Sequence, residues 1–494
     1  MNRRHIPQLT DPLRFPNRAR KHTRNVRGVV LLLLTILIPG AVQSLLGNRK
    51  IARLCLSVTL ITWALILVIA LLALLWRPII FTLVTNPLAL TPLTIWAALS
   101  TCVWVVCLID TVLRIRPGTL SGRTRISVLA GALVCLVVIG GGMGWATVTL
   151  NSQRHLMAQM FSWGLAKGPV NGRFNIALLG SDAGKGRVGV RPDSISLVSI
   201  DAKTGDTLII GLPRNMENVP FPSGTPLAEV YPHGYNCGDE CLLNAVYQLG
   251  EKHAEAFRQK PAGAAAMKDA ITAITGLKVQ YYAMIDLKGF EDLIDALGGI
   301  DLVSHKRVPV SSPVNKSTGQ HGPVREWIEP GKLHLDGFHA LWYARSREFS
   351  SDYERMIRQR CVQKAMLAQL DPATVLLRYQ AIAAAAPQVI STDIPQLQVD
   401  RFVRLAIKAK KAGIESLNLT PPRVNPGSPN YSEIHQMIQQ EFQTAQALAM
   451  SDMTLAAPRV GAVSGASRAI ATSPTGAQVT SMADKANSIC EVPH

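Results

Sequence analysis

Acidic residues are almost missing from the first quarter of this chain: residues 1–125 hold only Asp11 and Asp110, against 16 Lys and Arg. That stretch carries 14 of the 18 net positive charges. A nucleic-acid reader should show its basic excess on a folded face. Here the excess flanks apolar runs, which excludes nucleic acid as partner and points to a bilayer. Large apolar residues are scarce after residue 450, where Ala, Ser, Thr and Gly dominate. Such a segment buries too little surface to offset its ordering entropy, so 451–494 is expected to be a low-complexity mobile tail. No small-residue cleavage site stands behind the first apolar run, so that region is expected to remain as an anchor. A nucleotide-binding P-loop is also missing. Three residues rather than four separate Gly180 from Gly184-Lys185, and Gly186 stands where Ser or Thr should follow.

What is present begins with four apolar stretches, at about 28–47, 54–76, 88–113 and 126–149, each near the length that crosses a hydrocarbon core. Three short basic loops separate or precede them: 1–27, the segment with Arg49, Lys50 and Arg53, and the segment with Arg114, Arg116, Arg123 and Arg125. All three belong on the cytoplasmic side. This holds if the first stretch, interrupted by Pro39-Gly40, is re-entrant and does not cross. Three crossings then place the rest of the chain outside; four crossings with one mis-signed loop would place it inside. The expected organisation is a basic cytoplasmic tail (1–27), a multi-pass transmembrane anchor (28–149), a linker (150–173), an extracytoplasmic domain (174–450) and the tail.

Four cysteines (Cys55, Cys102, Cys107, Cys135) fall in apolar stretches, and four (Cys237, Cys241, Cys361, Cys490) fall beyond them. An even number in an exported domain suits disulfides, with Cys237–Cys241 and Cys361–Cys490 the expected pairs. Zinc on His233, Cys237 and Cys241 would need a fourth ligand that the local sequence does not supply.

From Phe174 the pattern is α/β. Strands are expected at Phe174–Leu179, Ser194–Asp201, Thr207–Leu212, Val279–Ile285 and Ile300–Val303. Helices are expected at 242–249, 264–275 and 289–297, and then at about 336–345, 352–370, 373–385, 397–411 and 430–449. This mixture predicts a central sheet covered on both faces.

Three motifs carry chemistry. Gly180-Ser181-Asp182 and Arg191-Pro192-Asp193 put two carboxylates at the ends of neighbouring strands, where they suit a shared Mg²⁺ that bridges to phosphate. The plainer reading is two loop aspartates that shape turns. Leu212-Pro213-Arg214-Asn215 ends the third strand, so Arg214 either reaches that edge or lies on the surface. The densest motif runs from Tyr343-Ala344-Arg345-Ser346-Arg347 to Asp352-Tyr353-Glu354-Arg355-Met356-Ile357-Arg358-Gln359-Arg360. Arg355 and Gln359 are four apart on one helix face, and an arginine fork binds phosphate oxygens bidentately while staying charged. A solvated basic helix paired with Asp352 and Glu354 is the plainer alternative.

Taken in order and spacing, Asn175–Asp182, Arg191–Ser194, Leu212–Arg214, Leu293–Asp301 and Tyr343–Gln359 resemble the LytR–CpsA–Psr family of membrane-anchored cell-wall glycopolymer transferases. The resemblance covers roughly 174–370. It implies a three-layer α/β/α sandwich with a central mixed sheet and a long apolar pocket for a polyprenyl chain. It also implies transfer of a glycan phosphate from a polyprenyl-pyrophosphate carrier to peptidoglycan, with Mg²⁺ as cofactor. By this resemblance Asp182 and Asp193 hold metal and pyrophosphate, and Arg191, Arg214, Arg345, Arg347 and Arg355 bind phosphate, with Gln359 lining the site. Asn215 departs from the Asp usual after the Pro-Arg pair, and a multi-pass anchor departs from the usual single crossing. The competing functions are a polyprenyl-pyrophosphate hydrolase and a non-catalytic envelope protein that binds glycan-lipids.

Overall fold

The computed structural model describes residue 13 and residues 19–46, 49–75, 86–161, 164–181, 190–238, 240–311, 323–369, 390–455 and 490–492. Asp182, the expected helix at 373–385 and most of the tail lie outside the described residues. The chain divides into two compact units, Met1–Ala158 and Gln159–His494.

The first unit is helical: α1 (Lys21–Leu37), α2 (Ala41–Leu46), α3 (Arg49–Leu75), α4 (Pro87–Ile115), α5 (Gly122–Cys135) and α6 (Gly141–Met160). A π-turn over Leu136–Gly140 joins the last two. Among the described residues, three helical stretches are long and apolar enough to cross a membrane: Arg49–Leu75, Leu88–Thr119 and Gly122–His155. The first apolar run is not among them. Pro39 lacks the amide that would continue α1, and Gly40 turns the chain at φ +96°. A Cβ at Gly40 would stand 2.7 Å from the Leu56 backbone nitrogen, so this turn packs against α3 as only glycine permits. Polar contacts tie the broken segment to α4. The hydroxyls of Thr35 and Thr111 are 2.8 Å apart, and Gln43 Nε2 donates to Cys107 O (3.0 Å) and Asp110 Oδ2 (2.9 Å). Asp110 also pairs with Arg114 at 2.6 Å, so this rare acid is neutralised within the bundle.

The second unit is built on a six-stranded mixed sheet. In chain order the strands are β1 (Arg173–Ser181), β2 (Pro192–Asp201), β3 (Thr207–Leu212), β4 (Tyr281–Asp286), β5 (Ile300–Ser304), β6 (Val308–Ser311), β7 (Val324–Ile328), β8 (Gly331–Leu335), β9 (Ile390–Thr392), β10 (Ile414–Asn418) and β11 (Cys490–Glu491). The large sheet has the order β10-β3-β2-β1-β4-β9. β1 runs parallel to β4 and antiparallel to β2. Alternate residues supply two cores, as a period of two requires. Ala177, Leu179, Leu208 and Ile210 face one core, and Phe174, Ile176, Ile209 and Tyr281 face the other.

The helices around the sheet include α7 (Val246–Lys252), α8 (Ala262–Thr275), α9 (Leu287–Leu297), α10 (Gly337–Arg345), α11 (Asp352–Gln369), α12 (Val399–Ala412) and α13 (Tyr431–Leu455), with α10 packed on α9, α11, β6 and β8. α8 contacts α7, α13 and β4, whereas α11 contacts α12, β3 and β10. The expected layered α/β architecture is present. Two features went unanticipated: the small sheets β11-β5-β8 and β6-β7. Within 451–494 the described residues are 451–455, where α13 ends at Leu455, and 490–492, where β11 pairs with β5. Cys237 and Cys241 form a disulfide, and Cys361 is also disulfide-bonded. The strand that carries Cys490 contacts the helix that carries Cys361.

Candidate functional site

The site starts at a bulge. β1 and β2 pair Gly180 with Ser194 and then Ser181 with Pro192, so Asp193 drops out of the ladder. A bulge of this kind re-aims the side chain of the extra residue. Gly180 permits the approach, since a Cβ there would stand 3.0 Å from Ser194 Cβ.

Asp193 Oδ1 accepts from Arg214 Nη1 at 2.6 Å, just beyond the end of β3. Arg347 reaches the same oxygen at 3.7 Å and Asp352 Oδ1 at 3.5 Å. Arg355 grips Asp352 with Nε and Nη2 at 3.0 and 3.1 Å, and its Nη1 donates to the Asp193 carbonyl at 3.3 Å. Five side chains therefore alternate in sign: Arg214, Asp193, Arg347, Asp352, Arg355. Three cations meet two anions, so the ladder has a positive remainder.

Burial lowers the Arg347 guanidinium below its ordinary value, and the charges of Arg355 and Arg214 push it the same way. An arginine remains protonated regardless, and the nearby charges of Arg355 and Arg214 add to the positive field there. Burial alone would raise the Asp352 carboxyl. The hydrogen bond and charge of Arg355, with Arg347 and Arg214, hold it below its usual range instead.

The ladder borders a cavity of about 500 Å³. Arg355, Gln359, Val362, Gln363 and Met366 line it from α11. They recur at three- and four-residue steps and so form one stripe. Arg355 to Met366 spans about 16 Å at a helical rise of 1.5 Å per residue. The stripe passes from charged to apolar, and Leu178, Met284, Leu287, Phe290 and Leu293 continue the apolar wall. Gln359 Oε1 is buried without a hydrogen-bond partner among the described residues.

Of the expected residues, Asp193, Arg345, Arg347, Arg355 and Gln359 line the cavity, with Arg214 joined through Asp193. The Arg345 guanidinium lies 5.1 Å from the Trp342 ring centroid. Arg191 does not line the cavity; it is exposed, with Nε 3.4 Å from Gln248 Oε1. Asp182 falls outside the described residues. Among the described residues no group of three His, Cys, Asp or Glu side chains could hold a metal. Asp193 is still a hard oxygen donor at the charged end, and Mg²⁺ on phosphate needs only one or two carboxylates beside its waters. The donor chemistry fits that ion.

Two arginines of the motif serve the site indirectly. Arg358 donates to the carbonyls of Tyr343 (2.8 Å) and Ser346, and to Ser350 Oγ (3.3 Å). The carbonyls that end a helix have no partner within it, so Arg358 caps α10 and fixes the loop that carries Arg347. Arg360 is fully enclosed, and burial followed by the Arg355 charge pushes it down to about 9. Its Nη1 donates to Gln363 Oε1 at 2.7 Å, and Gln363 Nε2 donates to Ser196 Oγ at 3.1 Å. A run of arginines on a helix reads as a solvated face, and only a burial pattern would have set these two apart.

The LytR_cpsA_psr family model matches residues 148–448. The chain belongs to that family. A curated member, the polyisoprenyl-teichoic acid–peptidoglycan teichoic acid transferase TagV of Bacillus subtilis (strain 168), is 26% identical over 225 residues, 45% of this chain and 50% of that protein. Biofilm regulatory protein A of Streptococcus mutans is 27% identical over 228 residues, again 45% and 50%. The crystal structure of B. subtilis TagV aligns at 22% identity and a TM-score of 0.39, over 55% of this chain and 96% of that one. The chain spans about half the length of these curated relatives of the LytR_cpsA_psr family.

Proposed function

We propose that this protein transfers a glycopolymer phosphate from a polyprenyl-pyrophosphate carrier to peptidoglycan on the outer side of the membrane. The observation that supports it is the cavity, with an Arg–Asp ladder at one end and an apolar wall at the other. That division matches a ligand with a pyrophosphate head and a hydrocarbon tail. The names of TagV and of the TagU relatives as teichoic acid transferases agree with it.

In the transfer, an acceptor hydroxyl oxygen bonds to the glycan-side phosphorus and the bond to the bridging oxygen breaks. Polyprenyl phosphate leaves with the added negative charge, and the hydroxyl proton passes to water. Arg345, Arg347 and Arg355 stabilise the charge as it moves; such groups act most strongly when fixed in advance, and the Asp352 and Arg358 contacts fix them. Asp193, together with Asp182, would hold Mg²⁺, which would supply charge neutralisation at the pyrophosphate. The three crossing helices and their basic loops support the outward placement.

The test is to incubate the full chain in nanodiscs with a polyprenyl-pyrophosphate glycan, Mg²⁺ and peptidoglycan. Glycan phosphate linked to peptidoglycan supports the reading. Phosphate release that is indifferent to acceptor makes the protein a hydrolase, and binding without turnover makes it a glycan-lipid receptor.

A further inference from the structure

Phe349 is unfavourably placed by two measures. It sits in the loop between α10 and α11 at φ +55°, a conformation that a bulky side chain avoids. Its side chain is also 80% exposed, which leaves apolar ring surface in water. Strain of this kind persists where function holds it. The ring has company: Trp327 on β7 lies 5.8 Å away between centroids, with 31° between planes. The Arg307 guanidinium lies 4.2 Å from the Trp327 centroid and steadies that ring.

The location gives the pair its meaning. Arg347 and Glu348, which immediately precede Phe349, line the charged end of the cavity. Ser311 hydrogen-bonds Glu348, so the β6–β7 hairpin that carries Trp327 is joined to the same loop. A hydrocarbon tail belongs at the other end of the α11 stripe. The donor's glycan leaves the pyrophosphate at this end, and the molecule that brings the attacking hydroxyl must reach the same end from solvent. We propose that Phe349, backed by Trp327, is a stacking platform for a pyranose ring of the acceptor glycan. This rests on the transferase reading above. The axial C–H bonds of a pyranose carry partial positive charge, and an aromatic face carries partial negative charge. Such contacts orient a sugar without desolvating its hydroxyls, one of which must remain free to attack.

The experiment titrates the full chain in nanodiscs with soluble peptidoglycan glycan strands stripped of their peptides, followed by calorimetry. Phe349→Ala and Trp327→Ala are each expected to weaken binding about tenfold, with Phe349→Tyr retaining it. The proposal is overturned if wild type binds no glycan, or if wild type and Phe349→Ala give the same isotherm. It is equally overturned if Phe349→Trp adds fluorescence that brominated nanodisc lipid quenches while Phe349→Ala keeps the wild-type glycan affinity, which would make the platform a membrane contact. Transfer of glycan phosphate from the polyprenyl-pyrophosphate donor to added peptidoglycan, measured on wild type alone, reports the transferase chemistry separately. A failed transfer with intact glycan binding counts against the chemistry and not the platform.

Discussion

Arg355 holds Asp352 through two parallel hydrogen bonds, 3.0 and 3.1 Å, while its third nitrogen reaches the Asp193 carbonyl. The arginine side chain is 3% exposed, so its charge has no water to fall back on. Asp352→Asn leaves that charge short of an anion at the cost of about 1–3 kcal/mol. Thermal unfolding at pH 7 should register the loss. Because Asp352 titrates below its ordinary value, its contribution is present above that value and disappears as pH falls through the folded one.

Asp269 has the opposite sign. Burial on α8 pushes its carboxyl up to about 6 from the ordinary 3.8. The folded chain binds that proton more tightly, so the group's contribution is full below about pH 4 and lost as pH rises through 6. Asp269→Asn should therefore raise stability at pH 7.5 by about 1–3 kcal/mol and change little at pH 4. A Tm series in buffers from pH 4 to 8 checks both ends.

Arg345→Ala and Arg347→Ala should each lower turnover by about 10²–10³ with the fold retained, as expected for groups whose hydrogen bonds strengthen in the transition state. Arg191→Ala serves as the contrast. Its side chain is exposed and directed to Gln248, so turnover should stay within about threefold. Equal losses in all three variants would show that Arg191 moves into the site when substrate arrives. Circular dichroism on each variant verifies the fold.

Arg358→Met should cost about 2–4 kcal/mol, because two carbonyls and a hydroxyl lose the guanidinium that donates to all three. Arg358→Lys should restore little, since an ammonium lacks the planar fork that spans these acceptors. Tm measured beside donor KM separates general destabilisation from displacement of Arg347.

Much of this was legible from residue order. The runs at 174–179, 194–201 and 207–212 alternate between two apolar faces, and that period survives into β1, β2 and β3. Short strands such as Ile390–Thr392 carry too few residues for a period to show. In the small sheets β11 pairs with β5, Cys490 opposite Ser304, a pairing between distant segments that no local pattern announces. The arginine and aspartate types at the site were readable, but their directions were not. Arg191 and Arg214 both sit at strand ends, and only the Asp193 bulge decides which one joins the ladder.

The alternation of charge has a consequence for any phosphate that enters. Before a ligand arrives, Arg214, Arg347 and Arg355 already touch Asp193 or Asp352. The two carboxylates thus act as tethered competitors of the incoming anion. Association is then an exchange of ion pairs. Its free energy is a difference between two sets of similar contacts, and added salt weakens both sets. Affinity should depend on ionic strength less steeply than three arginines would suggest, and product leaves easily because the carboxylates stand ready to take its place.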